Sequence, residues 1–265
     1  MPLQINSRFA FTLDQPTDVL LQFEAAALPE QSLREVSTKL PETEHFARIA
    51  AHDNIGERIW IRAKGRIDVE YSATVQVQRI LADLPSLGRV DPHDLPAETV
   101  QYLFDSRYCA GDRFQNFAAE NFSDTQGGAR IDAIRQWISD NIAYTPGSSG
   151  PSTDAADSFI ARQGICRDFA HVLITLARAS TIPARYVACY SPGVTPPDFH
   201  AVAEVFLADP SHENGGAWHM VDATGMADPE NTAKIGVGRD AADVSFLTTF
   251  GQSNFECSEV AVDAV

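Results

Sequence analysis

Hydrophobic residues recur with two different periods along the chain. In roughly the first 80 residues, apolar positions alternate with polar ones, which is typical of strands that are buried on one face. Residues 58–63 and 66–71 are two such runs, and they flank Lys64 and Gly65. Alternating runs around a short glycine-containing turn predict a hairpin, and the extended pattern continues from Ser72 to Ile80. This part of the chain is predicted to form a β-sandwich or barrel.

A helical period replaces the alternation in the middle of the chain. Residues 129–141 predict one helix, because apolar positions three and four apart fall on one face. A second helix is predicted to begin at or next to Cys166 and to end at Ile182 and Pro183. Its apolar stripe consists of Phe169, Val172, Leu173 and Leu176.

Period two returns after Pro183. Strands are predicted over residues 185–190, 199–207 and 217–222, with a turn between Pro210 and Gly215. Residues 244–250 and 254–262 are interpreted as a terminal hairpin around Gly251 and Gln252.

These patterns predict an α+β fold with two parts. The segment 84–96 is rich in Pro, Gly and Asp and reads as a linker. An N-terminal all-β domain, residues 1–95, is therefore expected to precede a domain of residues 96–265, in which helices pack on an antiparallel sheet.

Composition narrows the classes of function. The chain has 265 residues with 44% hydrophobic residues, enough to bury a sizeable core. A formal net charge of −16 disfavours binding to nucleic acid and to anionic membranes. No CxxC pair and no HExxH motif occurs, so neither a metal site nor a cofactor is predicted. The start of the chain lacks a signal-peptide pattern and the four cysteines are widely spread, so a cytoplasmic protein with reduced thiols is expected.

Candidate chemistry centres on Cys166. A lone cysteine at an apolar helix is usually a small buried hydrophobe. At a helix N-terminus, however, the partial positive charge favours the nucleophilic thiolate. Asp168 lies in the same first turn, where a carboxylate can bind free backbone N–H groups.

A histidine and an aspartate that could serve this thiol follow on the predicted strands. If the loop between the second and third strands is centred near residue 211, His200 lies opposite Asp222, and Glu204 lies opposite Trp218. Directly opposed residues share a sheet face, so Asp222 could orient the His200 ring for a thiol–imidazole–carboxylate triad. A register slip by an odd number would separate the two residues.

The segments around these three residues resemble, in the same order, the catalytic blocks of the transglutaminase-like superfamily. The similar segments are residues 164–170 with 176–187, residues 200–201, and residues 221–224; Tyr144 also lies in a stretch that looks like bacterial members. The resemblance implies a papain-like fold over roughly residues 95–265. It implies Cys166 as nucleophile, His200 as base and acid, and Asp222 as the residue that orients the histidine.

The expected function is a thiol-dependent hydrolase, a peptidase or amidase acting on a peptide or protein through an acyl-enzyme. Two alternatives remain open: acyl transfer to a lysine or polyamine, and a non-catalytic protein-binding module. Arg167, Val202 and Ala223 depart from residues common in the family, and these departures weigh against crosslinking more than against thiol chemistry.

Overall fold

The computed structural model describes residues 1–79, 81–212 and 215–265. Ile80, predicted as the last residue of an extended run, lies outside the described residues. So do two residues of the predicted turn between Pro210 and Gly215.

Strands dominate both ends of the chain, and helices occupy its middle. The strands of the described residues are β1 (Pro2–Leu21), β2 (Gln31–Lys39), β3 (His45–Ala50), β4 (Glu57–Val77), β5 (Ala143–Tyr144), β6 (Gln163–Gly164), β7 (Ala184–Tyr190), β8 (His200–Ala208), β9 (Gly216–Val221), β10 (Ala233–Gly238), β11 (Leu247–Thr249) and β12 (Asn254–Ala264). The α-helices are α1 (Ala97–Val100), α2 (Gln115–Asn121), α3 (Gly127–Asn141), α4 (Ala155–Ala161) and α5 (Cys166–Ala179). The predicted α+β fold class is confirmed.

The first sheet is built on one long antiparallel ribbon. β1 pairs with β4 from Pro2 to Leu21, and β2 and β3 pair with the other edge of β4. The predicted hairpin at Lys64 and Gly65 is wrong, because β4 runs straight through both residues. Gly65 has a positive φ of 82° and pairs with Leu13 at a bulge in β1, where the pairing skips to Thr17. A bulge and a turn both favour glycine, so the local pattern does not distinguish them.

The C-terminal strands belong to this first sheet. β12 pairs with β1 from Leu3 to Thr12, and β11 continues the same edge from Val19 to Leu21. The predicted terminal hairpin is therefore wrong: both segments pair with β1 rather than with each other. The division of the chain at residue 95 stays a prediction, and the terminal strands of its second part complete the sheet of its first.

The second sheet carries the helices. Its strand order is β10-β7-β8-β9, all antiparallel. Alternate residues of β8, from Ala201 to Leu207, pack with the apolar face of α5 in one buried cluster. The first sheet packs against the β10–β7 side, where Tyr190 and Ile235 join its core. α5 is amphipathic, as its stripe predicted, and its burial fixes where Cys166 lies.

A buried ion network joins the second sheet to the N-terminal half. Glu204 of β8 accepts hydrogen bonds at 2.7 and 2.9 Å from Arg185 of β7 and contacts Lys234 of β10. Arg185 also reaches Asp53, in a short turn between β3 and β4, at 2.9 Å. Burial raises the pKa of Glu204, but Lys234 and Arg185 outweigh it and hold that pKa at about 2. The carboxylate is therefore charged and neutralises two buried cations.

We expect Glu204→Gln to destabilise the fold by about 3–5 kcal/mol, because an amide of the same shape removes the one fully buried carboxylate that Arg185 and Lys234 share, and leaves two buried cations with only the partly exposed Asp53 and Glu30. The matched control is Glu70→Gln, which breaks an exposed pair with Lys39 and should cost less than about 1 kcal/mol. Urea unfolding of both variants measures the difference. Equal losses would contradict the role assigned to the network.

Candidate active site

Cys166 is the first residue of α5 and is half-buried. Two short strands precede α5 in the chain. These strands, β5 and β6, form a parallel pair in which Tyr144 lies beside Gly164. A Cβ atom on Gly164 would lie 2.7 Å from the Cβ of Asp168, so only glycine lets the chain pass this close to the helix. The thiol is thus presented at a helix N-terminus, as predicted.

Asp168 caps this helix from within its first turn. Its Oδ2 accepts the backbone N–H of Ile165 at 2.9 Å, and its side chain is fully buried. Arg167 donates to Oδ1 at 3.1 Å and to the carbonyl of Gly150 at 2.8 Å. Asp168 therefore satisfies a free helix N–H group, as predicted, and Arg167 ties the turn to a neighbouring loop.

His200 and Asp222 meet, although the predicted strand register is wrong. Glu204 pairs with Met220 and Ala203 with Val221, a shift of two residues from the predicted pairing. An even shift keeps both residues on the same face of the sheet. The His200 Nε2 and Asp222 Oδ2 atoms lie 3.0 Å apart, and the two side chains are buried.

Several donors converge on the Asp222 carboxylate. Oδ1 accepts the backbone N–H of Thr224 at 2.8 Å, and Oδ2 accepts the N–H of Ala227 at 2.7 Å. The Thr224 hydroxyl lies 2.8 Å from both oxygens. Burial raises the pKa of Asp222, but His200 and these N–H donors outweigh it, so the pKa is lowered and the group is charged.

The thiol of Cys166 is close enough to the imidazole of His200 to influence its pKa. Burial lowers the pKa of His200, yet hydrogen bonding to Asp222 and to Cys166 outweighs burial and raises the pKa to about 9. No hydrogen bond of ordinary geometry from a described residue reaches Nδ1. Nδ1 is therefore the ring nitrogen without a hydrogen-bond partner among the described residues, while Nε2 is held by Asp222.

Sequence reasoning assigned no specific contact to Tyr144. Burial is the main reason that the pKa of its hydroxyl rises to about 12, and the nearby backbone N–H of Cys166 offsets part of that rise. The hydroxyl thus lies where the backbone of Cys166 can donate. The family-like stretch around Tyr144 was the one signal in the sequence, since the contact depends on the β5–β6 pairing.

Other histidines and cysteines have different neighbours and burial from His200 and Cys166. His171 is buried, stacks on Tyr108, and has its pKa lowered to about 3 by burial. His219 approaches Asp209 at 3.4 Å. Cys109 and Cys189 are fully buried, and burial raises the pKa of both thiols, to about 12 for Cys109.

One cluster of side chains that could bind a metal ion lies among the described residues, away from Cys166 in the sequence. Among the described residues, the ligand atoms of Asp91, His93 and Asp94 lie within 4.8 Å of one another, but all three side chains are exposed, and exposed acidic groups of this kind are common without an ion. They lie in the segment predicted to be a linker.

The site's surroundings match known proteins. A family model described as the transglutaminase-like superfamily matches residues 115–223. A crystal structure from Cytophaga hutchinsonii, named as a "Putative Cysteine Protease", is 30% identical with a TM-score of 0.91, and the match covers 99% of this chain and 90% of that one.

Curated relatives match over a shorter stretch. An "Uncharacterized protein" of Mycobacterium leprae is 31% identical over 120 residues, 43% of this chain and 42% of the relative. Another, of Mycobacterium bovis, is 33% identical over 138 residues, 47% of this chain and 43% of the relative. The chain thus spans less than half the length of these relatives. Separately, among the helices of the described ranges, none is long and apolar enough to cross a membrane.

The raised pKa of His200 predicts a pH-dependent stability. Its value in the folded protein, about 9, exceeds the ordinary 6.5. The protonated ring therefore contributes stability that is fully present below pH 6.5 and is lost as the pH rises through 9, by up to about 3 kcal/mol.

We expect the free energy of unfolding of the wild type to fall across this range relative to His200→Gln, which has no titrating ring. Urea unfolding at several pH values compares the two proteins. Parallel curves would show that Asp222 and Cys166 do not stabilise the imidazolium.

Proposed function

The chain belongs to the transglutaminase-like superfamily and is of the thiol-enzyme kind, and on that premise we propose that it hydrolyses amide bonds in a peptide or protein. One observation carries the proposal: a buried His200–Asp222 pair, with atoms 3.0 Å apart, lies close enough to the half-buried thiol of Cys166 at the start of α5 for that thiol to help raise the pKa of His200. In this proposal Cys166 is the nucleophile, His200 the base and acid, and Asp222 the residue that orients the ring.

With its pKa raised to about 9, His200 is already protonated near neutral pH, so in this proposal acylation starts after the Cys166 thiol proton has moved to Nδ1. Nε2–H remains on Asp222, so the tautomer is set before substrate arrives, and the carboxylate stabilises the imidazolium that forms. The sulfur then attacks the amide carbon while the carbonyl oxygen takes up negative charge. When the carbon–nitrogen bond breaks, the leaving amine takes the proton from Nδ1 and an acyl-enzyme remains.

The developing oxyanion needs hydrogen-bond donors near the thiol. The backbone N–H of Cys166 is one, because it is a free group of the helix N-terminus. The hydroxyl of Tyr144 is near enough to that N–H to be affected by it, and we propose it as the second donor. An oxygen placed between the two would accept from both once the hydroxyl rotates.

Deacylation distinguishes hydrolysis from its closest alternative. In hydrolysis, Nδ1 takes a proton from water, the hydroxide oxygen attacks the thioester carbon, and the thiol leaves with that proton. A lysine or polyamine in place of water would give acyl transfer. The non-catalytic alternative predicts neither reaction.

The same proposal includes a cytoplasmic location. All four cysteines are free, and structural disulfides are rare in that compartment. Fractionation of the source cells with an antibody to the protein tests it, and recovery with periplasmic proteins would overturn it.

Mass spectrometry of a glutamine-containing peptide tests the reaction. Incubation with the wild type, with and without a primary amine, should give cleavage or deamidation, and Cys166→Ala should give neither. Cys257→Ala is the matched control, since that thiol is exposed on β12, and it should react like the wild type. An amine-dependent product alone would favour transfer, and an unchanged peptide would favour the binding module.

We expect Asp222→Asn to reduce turnover by roughly 10²–10⁴. The amide cannot stabilise an imidazolium and can hold the ring in the wrong tautomer; in a serine-protease triad the same change costs about 10⁴. Asp209→Asn makes the same substitution beside His219, away from Cys166, and should change turnover less than about threefold. Steady-state kinetics compares the two, with circular dichroism to verify folding. Unchanged turnover in a folded Asp222→Asn protein would leave Asp222 with a structural role only.

A further inference from the structure

A large groove of about 1030 Å³ runs along β9, beside the proposed triad. Every residue from Gly216 to Asp222 contributes to its lining, as do Arg79 and Leu81 from the segment that follows β4. Six extended residues span about 20 Å. The groove therefore has the length of a short extended peptide, and its volume is at the upper end of ordinary ligand sites.

β9 is the edge strand of the second sheet. On one side it pairs with β8, and among the residues that the structure describes no strand pairs with its other side. The outward N–H and C=O groups of an edge strand are those to which an added strand binds. Phe206 and Trp218, whose rings meet edge to face at 5.4 Å, supply apolar surface for its side chains.

The groove leads to the His200–Asp222 pair. Asp222 follows the last residue of β9 and lines the groove, and so does Ala227, whose N–H binds the Asp222 carboxylate. A segment added along β9 would thus end beside Asp222, the residue proposed to orient His200.

Most of the positive charge in the groove is already neutralised. The cationic lysine and arginine side chains in its lining are Arg79, Arg135, Arg185 and Lys234. Arg135 donates to Asp132 at 2.8 Å, and Arg185 and Lys234 share Glu204. That leaves Arg79.

Arg79 has no carboxylate within ion-pair distance among the described residues. Its Nη1 donates to the carbonyls of Pro229 and Thr232 and lies 3.8 Å from the sulfur of Met220. Its Nε and Nη2 are buried and have no partner in the described part of the chain. These two atoms form one edge of the planar fork that matches a carboxylate. Because both are buried, an incoming carboxylate would reach them only after the terminal side-chain bonds rotate.

The acidic residues of the groove do not occupy this position. Asp222 binds His200, and Glu30 lies 3.4 Å from Lys234. Glu98 is exposed at the surface. A carboxylate that pairs with Arg79 would therefore come from outside the chain.

We propose that the groove binds an extended segment of the peptide substrate as an added strand on β9, with a carboxylate of that peptide against Arg79. The inference rests on the proposed function, because it takes the occupant to be the substrate of the adjacent triad. It names the substrate class: extended peptides that carry a carboxylate, on a side chain or at the C-terminus.

Calorimetric titration of the full-length Cys166→Ala protein tests binding without turnover. The probes are two pairs of N-acetylated alanine hexapeptides: one pair differs in a C-terminal carboxylate or amide, and the other, amidated, carries a central Glu or Gln. We expect one carboxylate peptide to bind roughly tenfold more tightly than its amide twin, as for a charge-assisted hydrogen bond. Which pair shows the preference identifies the source of the carboxylate.

Arg79→Gln in this background should abolish the preference, and Arg79→Lys should retain part of it. Arg135→Gln removes a guanidinium from the same groove that is engaged by Asp132, and should keep the preference in full. Thermal unfolding verifies that each variant is folded.

Equal binding of both twins in each pair, or a preference that survives Arg79→Gln, would overturn the inference. Hydrolysis by the wild type is measured separately. Peptides that are cleaved without regard to their carboxylate would refute the groove and leave the hydrolase, whereas Arg79-dependent binding without cleavage would refute the hydrolase and leave the groove.

Discussion

The buried carboxylate of Asp222 is the constraint around which the site is arranged. A charge removed from water must be neutralised or hydrogen-bonded, or it costs several kcal/mol. The backbone N–H groups of Thr224 and Ala227, which follow β9, donate hydrogen bonds to this carboxylate. Nε2 of His200 is its third partner. Because Nε2 is hydrogen-bonded to the carboxylate, Nδ1 is the ring nitrogen that remains available to the thiol. The ring orientation that a triad needs thus follows from satisfying one buried charge.

The incorrect strand register still brought the two predicted residues together, because an even shift preserves the sheet face. Period two in the sequence assigns each residue to a sheet face, and it put His200 and Asp222 together. It does not determine which residue lies opposite which, since that depends on the turn between β8 and β9. The observed register differs from the predicted one by two residues, so the face is preserved. The apolar stripe that predicted α5 was similarly sufficient to put Cys166 at a helix start, although the helix is buried on every side from Asp168 to Arg178 rather than on the stripe alone.

The sequence pattern could not predict strand pairings and contacts between residues that are far apart in the chain. Glycine at position 65 and the segment around Gly251 read locally as turns, but β1 is long enough to pair with β4 throughout and with both C-terminal strands. Pairing with a long strand overrides a local turn signal. The contact of Tyr144 with Cys166 has the same origin, since it needs the bridge between β5 and β6. The first sheet, in turn, supplies Asp53 to the ion network of the second, so the two halves share buried charge as well as apolar surface.

The four cysteines of the chain show why partial burial matters at this site. Cys109 and Cys189 are fully buried, and the loss of solvation raises the pKa of their thiols well above the ordinary value. Cys257 is exposed on β12. Cys166 combines partial exposure with a helix N-terminus and a buried imidazole that is itself held by a carboxylate. A thiol becomes a nucleophile when its anion is stabilised and can still be reached. Full burial denies access to Cys109 and Cys189, whereas partial exposure leaves Cys166 accessible at the start of α5.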